Sequence, residues 1–187
     1  GKITLIDHWF GRIFDALKRR GWWEDTMVIL WSDHGEMAGD HQRLHKSVFY
    51  DSSVRVPLII RWPGHIKGGA VSDALAENID VYPTLLEAVG AEASKRCFGE
   101  SLWPVLRDPD AKHRDAIFSE ISSGGYHNTM ICTGQYKYAM DNTGEGYMLY
   151  HVAEDPEERN NLIGHPDFRE IERECRDGIL QFLIDTQ

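Results

Sequence analysis

The sequence has few cysteines and no long apolar run, and both scarcities exclude classes of protein. Its three cysteines, Cys97, Cys132 and Cys175, are widely spaced and form no C-x-x-C pair. They therefore indicate neither a zinc ribbon nor a disulfide framework, and we expect buried or half-buried thiols. No apolar stretch reaches the length of a membrane-spanning helix, and the first residues lack the pattern of a signal peptide.

Basic residues are scarce relative to acidic ones. The 20 Lys and Arg stand against 30 Asp and Glu, which gives a formal net charge of −10. A nucleic acid or an anionic membrane would require a basic patch, so neither partner is predicted. A small anionic substrate is compatible with this charge, because a lysine and a metal ion can outweigh the global field locally. The length of 187 residues favours one domain with a sizeable core.

Three common catalytic motifs are also missing. The sequence contains no G-x-S-x-G elbow, no phosphate-binding P-loop and no H-E-x-x-H helix. Any chemistry must therefore come from another arrangement of side chains, and one stretch has the composition for it.

That stretch, residues 26–63, combines two apolar strands with a polar loop. Residues 26–31 form an apolar, β-branched run typical of a buried strand, and residues 57–62 form a second one. Directly after the first run come a carboxylate, an imidazole and Gly35, which permits a tight turn. In open α/β sheets, ligands bind outside the carboxyl ends of the strands. We therefore predict a site for a metal ion and an anion after the first strand.

Five side chains of this loop are candidates for the site. Asp33 offers a hard oxygen suited to Ca²⁺, Mg²⁺ or Mn²⁺, and His34 favours borderline metals, although such a pair is also typical of a capped turn. Lys46 is able to hold an oxyanion and give up a proton, or is simply solvated. His41 and His45 are candidate proton donors or anion contacts, or ordinary loop histidines. Two metal ligands are too few, so the site is completed elsewhere or holds no metal.

The order of elements predicts an α/β protein that ends in a small antiparallel sheet. A helix near residues 3–20 precedes the first strand, which is half of an α/β unit and implies a parallel sheet. Beyond residue 113 the pattern changes to short strands separated by turns. Further elements are predicted as a helix at 80–90 with Asp80 as N-cap, strands at 116–121, 126–133, 136–140 and 147–151, and a closing helix at 168–184. We place the α/β part at 1–112 and the antiparallel subdomain at 113–187.

Several stretches resemble, nearly position by position, the sulfatase family of the alkaline-phosphatase-like superfamily. They are Thr26-x-Val-Ile-Leu-x-Ser-Asp-His-Gly-Glu36, Gly39-Asp-His41, Lys46, Arg55-Val-Pro-Leu-Ile-Ile-Arg-Trp-Pro-Gly64, Asp80-Val-Tyr-Pro-Thr-Leu-Leu86, Gly99-Glu-Ser-Leu102 and Asp155-Pro-Glu-Glu-x-Asn-Asn-Leu162. Each piece is weak alone, but the ordered set covers almost the entire chain and is highly specific.

The resemblance implies hydrolysis of a sulfate ester, on a small molecule or a glycan, at a site with one divalent cation. That cation is usually Ca²⁺, with Mn²⁺ or Mg²⁺ as alternatives. Asp33 and His34 match two metal ligands of the family, and Lys46 matches the lysine that binds the sulfate and assists the leaving group. His41 is added as a catalytic candidate and His45 as a substrate-binding one. The implied fold is part of a parallel-sheet α/β domain followed by a small antiparallel sheet with a carboxyl-terminal helix.

One part of the family pattern is missing. The family's nucleophile is a formylglycine made from the Cys or Ser of a C/S-x-P/A-x-R motif near the amino terminus, and no such motif occurs in this sequence. The remaining metal ligands belong to the same missing half. The chain is therefore expected to be the carboxyl-terminal part of such an enzyme, with the amino-terminal half as its partner, and to be inactive alone. The alternatives are a phosphonate monoester or phosphodiester hydrolase of the same superfamily and a non-catalytic interaction module.

Overall fold

The computed structural model describes residues 1–186, which divide into two compact units. The first unit contains Gly1–Trp31 and Pro57–Val71, and the second contains Ser32–Val56 and the residues from Ser72 onward. The predicted boundary at residue 112 stays a prediction.

The first unit consists of one long helix and a pair of strands. Helix α1 spans Lys2–Arg19 and ends before Gly21, whose φ of +70° is the left-handed conformation that glycine adopts without a steric penalty. A short 3-10 helix, Trp23–Asp25, follows. The indole of Trp23 packs on the ring of Phe14, with 5.1 Å between centroids, and the guanidinium of Arg61 lies 3.8 Å from the centroid of the Trp23 ring. Aromatic and cation–π contacts therefore join the helix to the strands.

The two strands of this unit pair antiparallel, which corrects the expectation of parallel strands here. Strand β1, Val28–Trp31, pairs with β2, Leu58–Arg61, in a register that sets Trp31 opposite Leu58. A parallel pair requires a crossover that carries the chain back to the starting end of the first strand. Here the chain leaves β1 and returns to β2 at the same end of the pair, so antiparallel pairing results.

The second unit is built on a four-stranded antiparallel meander. The strands are β3 (Ile117–Ser123), β4 (Tyr126–Cys132), β5 (Tyr136–Met140) and β6 (Gly146–His151), and they lie in the order β3-β4-β5-β6. The helices of this unit are α2 (Asp51–Val54), α3 (Val81–Ala88), α4 (Trp103–Arg107) and α5 (Arg169–Asp185). The predicted strands and closing helix are confirmed within one or two residues at most ends.

Alternation along the strands gives the sheet two buried faces. Ile131, Tyr138 and Leu149 pack with Cys175 and Ile179 of α5, whereas Met130, Cys132, Ala139, Met148 and Tyr150 pack with Phe49 on the other face. Successive residues of a strand point to opposite faces, so one run of apolar residues serves both clusters. The α/β class with a small antiparallel sheet and a carboxyl-terminal helix is thereby confirmed.

The cysteines and the lengths of the apolar helices can be compared with what the sequence predicted. Cys132 and Cys175 are buried and Cys97 is half-buried, and all three are free thiols, as predicted. Burial raises the pKa of the Cys175 thiol to about 11, which keeps it protonated and unreactive at neutral pH. Among residues 1–186, no helix is both long enough and apolar enough to cross a membrane.

Candidate functional site

The segment directly after β1 is a tight polar turn formed by its own hydrogen bonds. The backbone N–H of His34 donates to Oδ1 of Asp33 at 2.9 Å, and the hydroxyl of Ser32 donates to the His34 carbonyl at 2.8 Å. The hydrogen bond from the His34 amide lowers the pKa of Asp33 below its ordinary value. The Asp33 carboxylate is therefore held ionised with its second oxygen, Oδ2, directed to the imidazole.

The His34 ring lies between three neighbours, and these contacts are the basis for assigning its tautomer. Its Nδ1 is 2.7 Å from the carbonyl oxygen of Gly35, so we assign the proton to Nδ1 and a lone pair to Nε2. Nε2 lies 3.4 Å from Oδ2 of Asp33 and in hydrogen-bond contact with the ammonium of Lys46. Three of the five predicted side chains thus meet at one point.

These atoms fit two positions in the shell of one divalent cation. An anionic oxygen and a bare imidazole nitrogen 3.4 Å apart can serve as adjacent ligands of an ion. The hydrogen bond from Nδ1 to Gly35 is the outer contact that ordinarily orients a metal-binding histidine. Within residues 1–186, no group of three or more His, Cys, Asp or Glu side chains is placed to hold a metal. The described residues therefore bring together two candidate ligands, Asp33 and His34.

The loop that carries Lys46 has an unusual concentration of strained backbone. Five of its non-glycine residues adopt left-handed φ values between 46° and 73°, namely Ala38, His41, Gln42, His45 and Ser47. Such residues cost roughly 1–3 kcal/mol each and cluster at functional sites. The loop is closed by hydrogen bonds from Met37 N to His45 O at 2.8 Å and from His45 N to Oε1 of Glu36 at 2.5 Å. The Met37 side chain is buried and anchors it.

Helix α2 forms hydrogen bonds with the turn and with the loop that follows it. The N–H of Gly35 donates to the Ser53 carbonyl at 2.7 Å, and a Cβ on Gly35 would lie 2.0 Å from the Ser52 carbonyl oxygen. Only glycine permits this approach. The Ser52 hydroxyl also donates to the carboxylate of Asp40, which lowers the pKa of that carboxyl.

The remaining two predicted residues lie around this core of three. The amide of His45 is fixed by Glu36, and its side chain is exposed. The ring of His41 stacks on Tyr50 with 3.8 Å between centroids and 16° between planes. In the described chain, His41 makes no hydrogen bond with His34 or Lys46. The catalytic and substrate-binding roles of these two histidines stay predictions.

The contacts of two residues, Asn78 and Asp80, were not predicted from the sequence. Asn78 donates from Nδ2 to the carbonyl oxygens of Ser32, at 3.1 Å, and Asp33, at 3.2 Å. Asp80 stands at the N-cap position of α3, as predicted, but its side chain does not cap that helix. It is fully buried and accepts hydrogen bonds from Arg114 instead. No local pattern identifies either role, since the partners are 34 to 46 positions away.

Comparisons with known proteins find a sulfatase family model, sulfatase relatives and a solved phosphonate monoester hydrolase. The family described as N-sulphoglucosamine sulphohydrolase, C-terminal, matches residues 39–184. An arylsulfatase of Clostridium perfringens is 34% identical over 91% of this chain and 36% of its own length. An N-acetylglucosamine-6-O-sulfatase of Bacteroides thetaiotaomicron is 29% identical over 99% of the chain and 34% of its length. The solved phosphonate monoester hydrolase of Agrobacterium radiobacter superposes with a TM-score of 0.87 at 30% identity, over 99% of this chain and 40% of that one.

The fold and these matches define the carboxyl-terminal portion of an alkaline-phosphatase-like protein. Within that class, the chain belongs to the sulfatase family, in the part matched by the N-sulphoglucosamine sulphohydrolase C-terminal family. It spans between a third and two fifths of the length of the relatives it matches.

Proposed function

We propose that this chain is the carboxyl-terminal part of a hydrolase that cleaves sulfate esters. The observation that carries the proposal is the meeting of Asp33, His34 and Lys46 at one point, where an anionic oxygen, an imidazole lone pair and an ammonium lie together. This combination suits a divalent cation beside a tetrahedral anion. The sulfatase relatives support the sulfate ester as the substrate class, on a small molecule or a glycan.

Asp33 and His34 are proposed to hold the cation through Oδ2 and Nε2. Ca²⁺ suits the hard carboxylate oxygen, and Mn²⁺ or Mg²⁺ would also accept this donor set. When bound, the ion supplies positive charge beside the oxygens of the sulfuryl group. Because Lys46 contacts the same Nε2 lone pair, its ammonium must turn from His34 toward the anion when that lone pair binds the ion.

Lys46 is proposed to bind the sulfate and to assist the leaving group. Hydrolysis breaks the bond between sulfur and the ester oxygen, and the departing oxygen must gain a proton. An ammonium within reach of both can stabilise the sulfuryl charge and donate that proton. His45 is proposed as a further anion contact. His41, oriented by its stacking on Tyr50, is proposed as a second proton donor.

The partner proposed for the chain is the amino-terminal part of the same fold. Helix α1 exposes a stripe of large apolar side chains, with Ile3 84%, Ile6 54%, Trp9 50% and Ile13 53% accessible. Apolar surface of this kind is characteristic of an interface. The relatives are about two and a half to three times as long as this chain, and their additional length can supply the cover. The chain alone is proposed to be inactive, because it contains no C/S-x-P/A-x-R motif.

Hydrolysis of a phosphonate monoester or phosphodiester is the second candidate. It is favoured by the similarity to the Agrobacterium radiobacter phosphonate monoester hydrolase. Sulfate and phosphonate groups are both tetrahedral anions, so the ammonium and the cation ligands suit either. A non-catalytic interaction module is the outcome that the experiments below would reveal if both activities are absent.

Titration of the 187-residue chain with Ca²⁺ in a calorimeter tests the metal half of the proposal. We expect binding weaker than about 1 µM, because Ca²⁺ takes six or more oxygen ligands and most are missing. Asp33→Ala should abolish the binding, and Asp110→Ala, which removes an exposed carboxylate elsewhere, should preserve it. Submicromolar affinity, or binding unaffected by Asp33→Ala, would contradict the partial site.

The activity itself is tested in a chimaera in which this chain replaces the matching part of the Clostridium perfringens arylsulfatase. We expect turnover of 4-nitrophenyl sulfate that is lost in Lys46→Ala and retained in the exposed control Lys95→Ala. Faster turnover of a phenylphosphonate monoester would favour the second candidate. The isolated chain should show no turnover, and activity of the chain that disappears in Asp33→Ala would refute its proposed dependence on a partner.

A further inference from the structure

Asn78 links the candidate metal turn to a buried cluster of charges. Its Nδ2 donates to two consecutive carbonyl oxygens, those of Ser32 and Asp33, at 3.1 and 3.2 Å. One amide group thereby fixes the orientation of two successive peptide units. The second of these belongs to the residue whose carboxylate is proposed to hold the cation.

The backbone on either side of Asn78 is held by contacts that leave it little freedom. Asn78 begins the 3-10 helix Asn78–Asp80, and Glu77 and Asp80 form a reciprocal capping box around it. The Asp80 carboxylate is fully buried and accepts from Nε of Arg114 at 3.1 Å, Nη2 of Arg114 at 2.5 Å and the Glu100 amide at 2.7 Å. A buried, multiply bonded group of this kind defines a rigid position.

The other side of the turn is also fixed, by the hydrogen bond from Gly35 N to Ser53 O at 2.7 Å. The Ser32–Gly35 segment is thus held through the amide of Gly35 on one side and through the carbonyl oxygens of Ser32 and Asp33 on the other. Asn78 itself is exposed, so its two hydrogen bonds contribute little to global stability. Its contacts are directed at the backbone of the site and not at the core.

We infer that Asn78 is a positioning residue for the proposed cation site, and that it holds the Ser32–Asp33 backbone so that Oδ2 of Asp33 and Nε2 of His34 meet one ion. The inference rests on the proposed function for the identity of the ligands. The orientation of the turn by Asn78 is a separate claim that can be measured without any metal. Loss of a group that orients metal ligands typically lowers metal affinity about 10- to 100-fold.

The test uses the full chain, titrated with MnCl₂ and followed by the electron paramagnetic resonance signal of free Mn²⁺. We expect Asn78→Ala and Asn78→Asp each to weaken Mn²⁺ binding about tenfold or more. Asn142→Ala, which removes an exposed asparagine in the β5–β6 turn, should leave it unchanged. Hydrogen exchange at the His34 and Gly35 amides, measured by NMR without metal, should accelerate in both Asn78 variants and not in the control.

The aspartate variant separates positioning from simple electrostatics. A nearby negative charge alone would tighten Mn²⁺ binding in Asn78→Asp, and that result would overturn the inference. Unchanged binding and exchange in Asn78→Ala, with binding lost in Asp33→Ala, would overturn it while leaving the proposed function intact. If the wild-type chain binds no Mn²⁺, the proposed cation site fails, and the exchange rates alone then decide whether Asn78 orders the turn.

Discussion

The buried carboxylate of Asp80 should contribute strongly to the stability of the second unit, and Asp80→Asn tests this directly. Its side chain is fully buried and takes hydrogen bonds from the amides of Glu77 and Glu100 at 2.8 and 2.7 Å. Arg114 adds a two-point contact, and Nε2 of His113 lies 3.2 Å away. The asparagine keeps the size of the side chain but removes its charge and one acceptor oxygen.

The expected loss of stability depends on the anionic neighbours that Arg114 keeps in the variant. Removing one partner of a buried ion pair costs about 3–5 kcal/mol. Arg114 keeps two anionic neighbours, Glu100 at 3.2 Å and Glu77 at 3.6 Å, so we expect the lower end, about 3 kcal/mol. For a chain of this length, that corresponds to a fall in Tm of roughly 6–12 °C.

Urea and thermal unfolding followed by circular dichroism measure this change. The matched control is Glu87→Gln, which removes an ion pair with Arg107 whose atoms are 3.9 Å apart and whose side chains are exposed. That variant should lie within about 0.5 kcal/mol of the wild type. A loss below about 1 kcal/mol in Asp80→Asn would contradict this expectation. It would mean that the charge of Arg114 is compensated without the carboxylate of Asp80.

The pH dependence of the same difference provides a second check. Burial alone would raise the pKa of Asp80, but the hydrogen bonds from Arg114 and from the Glu77 amide outweigh burial and lower it below 3.8. A carboxyl whose pKa is lower in the folded state stabilises the protein above its unfolded pKa, and the effect disappears as pH falls through the folded value. The gap between wild type and Asp80→Asn should therefore be constant down to about pH 4 and shrink below it. A gap that closes between about pH 7 and 5 would contradict this assignment.

Two further predictions concern close packing and a second buried charge. Gly35→Ala places a Cβ 2.0 Å from the backbone oxygen of Ser52 and should abolish Ca²⁺ binding by displacing the turn. Gly11 lies in the middle of α1, where an added Cβ meets nothing, so Gly11→Ala should stabilise that helix by about 1 kcal/mol. Equal effects of the two substitutions on calorimetric Ca²⁺ binding would contradict the role of the close approach. Lys137→Met leaves the buried carboxylate of Glu158, 2.5 Å from the ammonium, without its cation and should cost about 3–5 kcal/mol in urea unfolding. Adding Glu158→Gln should recover part of that loss, and a purely additive double variant would argue against the pair.

The local elements were predictable because each is encoded in a short window. The apolar spacing of α1 and its glycine end, and the alternation of β3 to β6, are all read from neighbouring residues. The core of the site was also predictable, since Asp33 and His34 follow an apolar strand and Lys46 lies in the same loop. These three residues meet in the structure.

The pairing of the strands and the long-range side-chain contacts near the candidate site depend on the tertiary structure. The antiparallel partnership of β1 and β2 depends on where the chain returns after 26 intervening residues, which no local pattern specifies. Asp80 was predicted as a helix N-cap and Asn78 was not singled out. In the structure, Asn78 contacts backbone 45 and 46 positions away, and Asp80 contacts Arg114, 34 positions away. The sequence alone was enough to select Asp33, His34 and Lys46 as candidates, because residue type and order are visible in it. Which distant groups contact these residues depends on the fold, because such contacts are set by distances between remote parts of the chain.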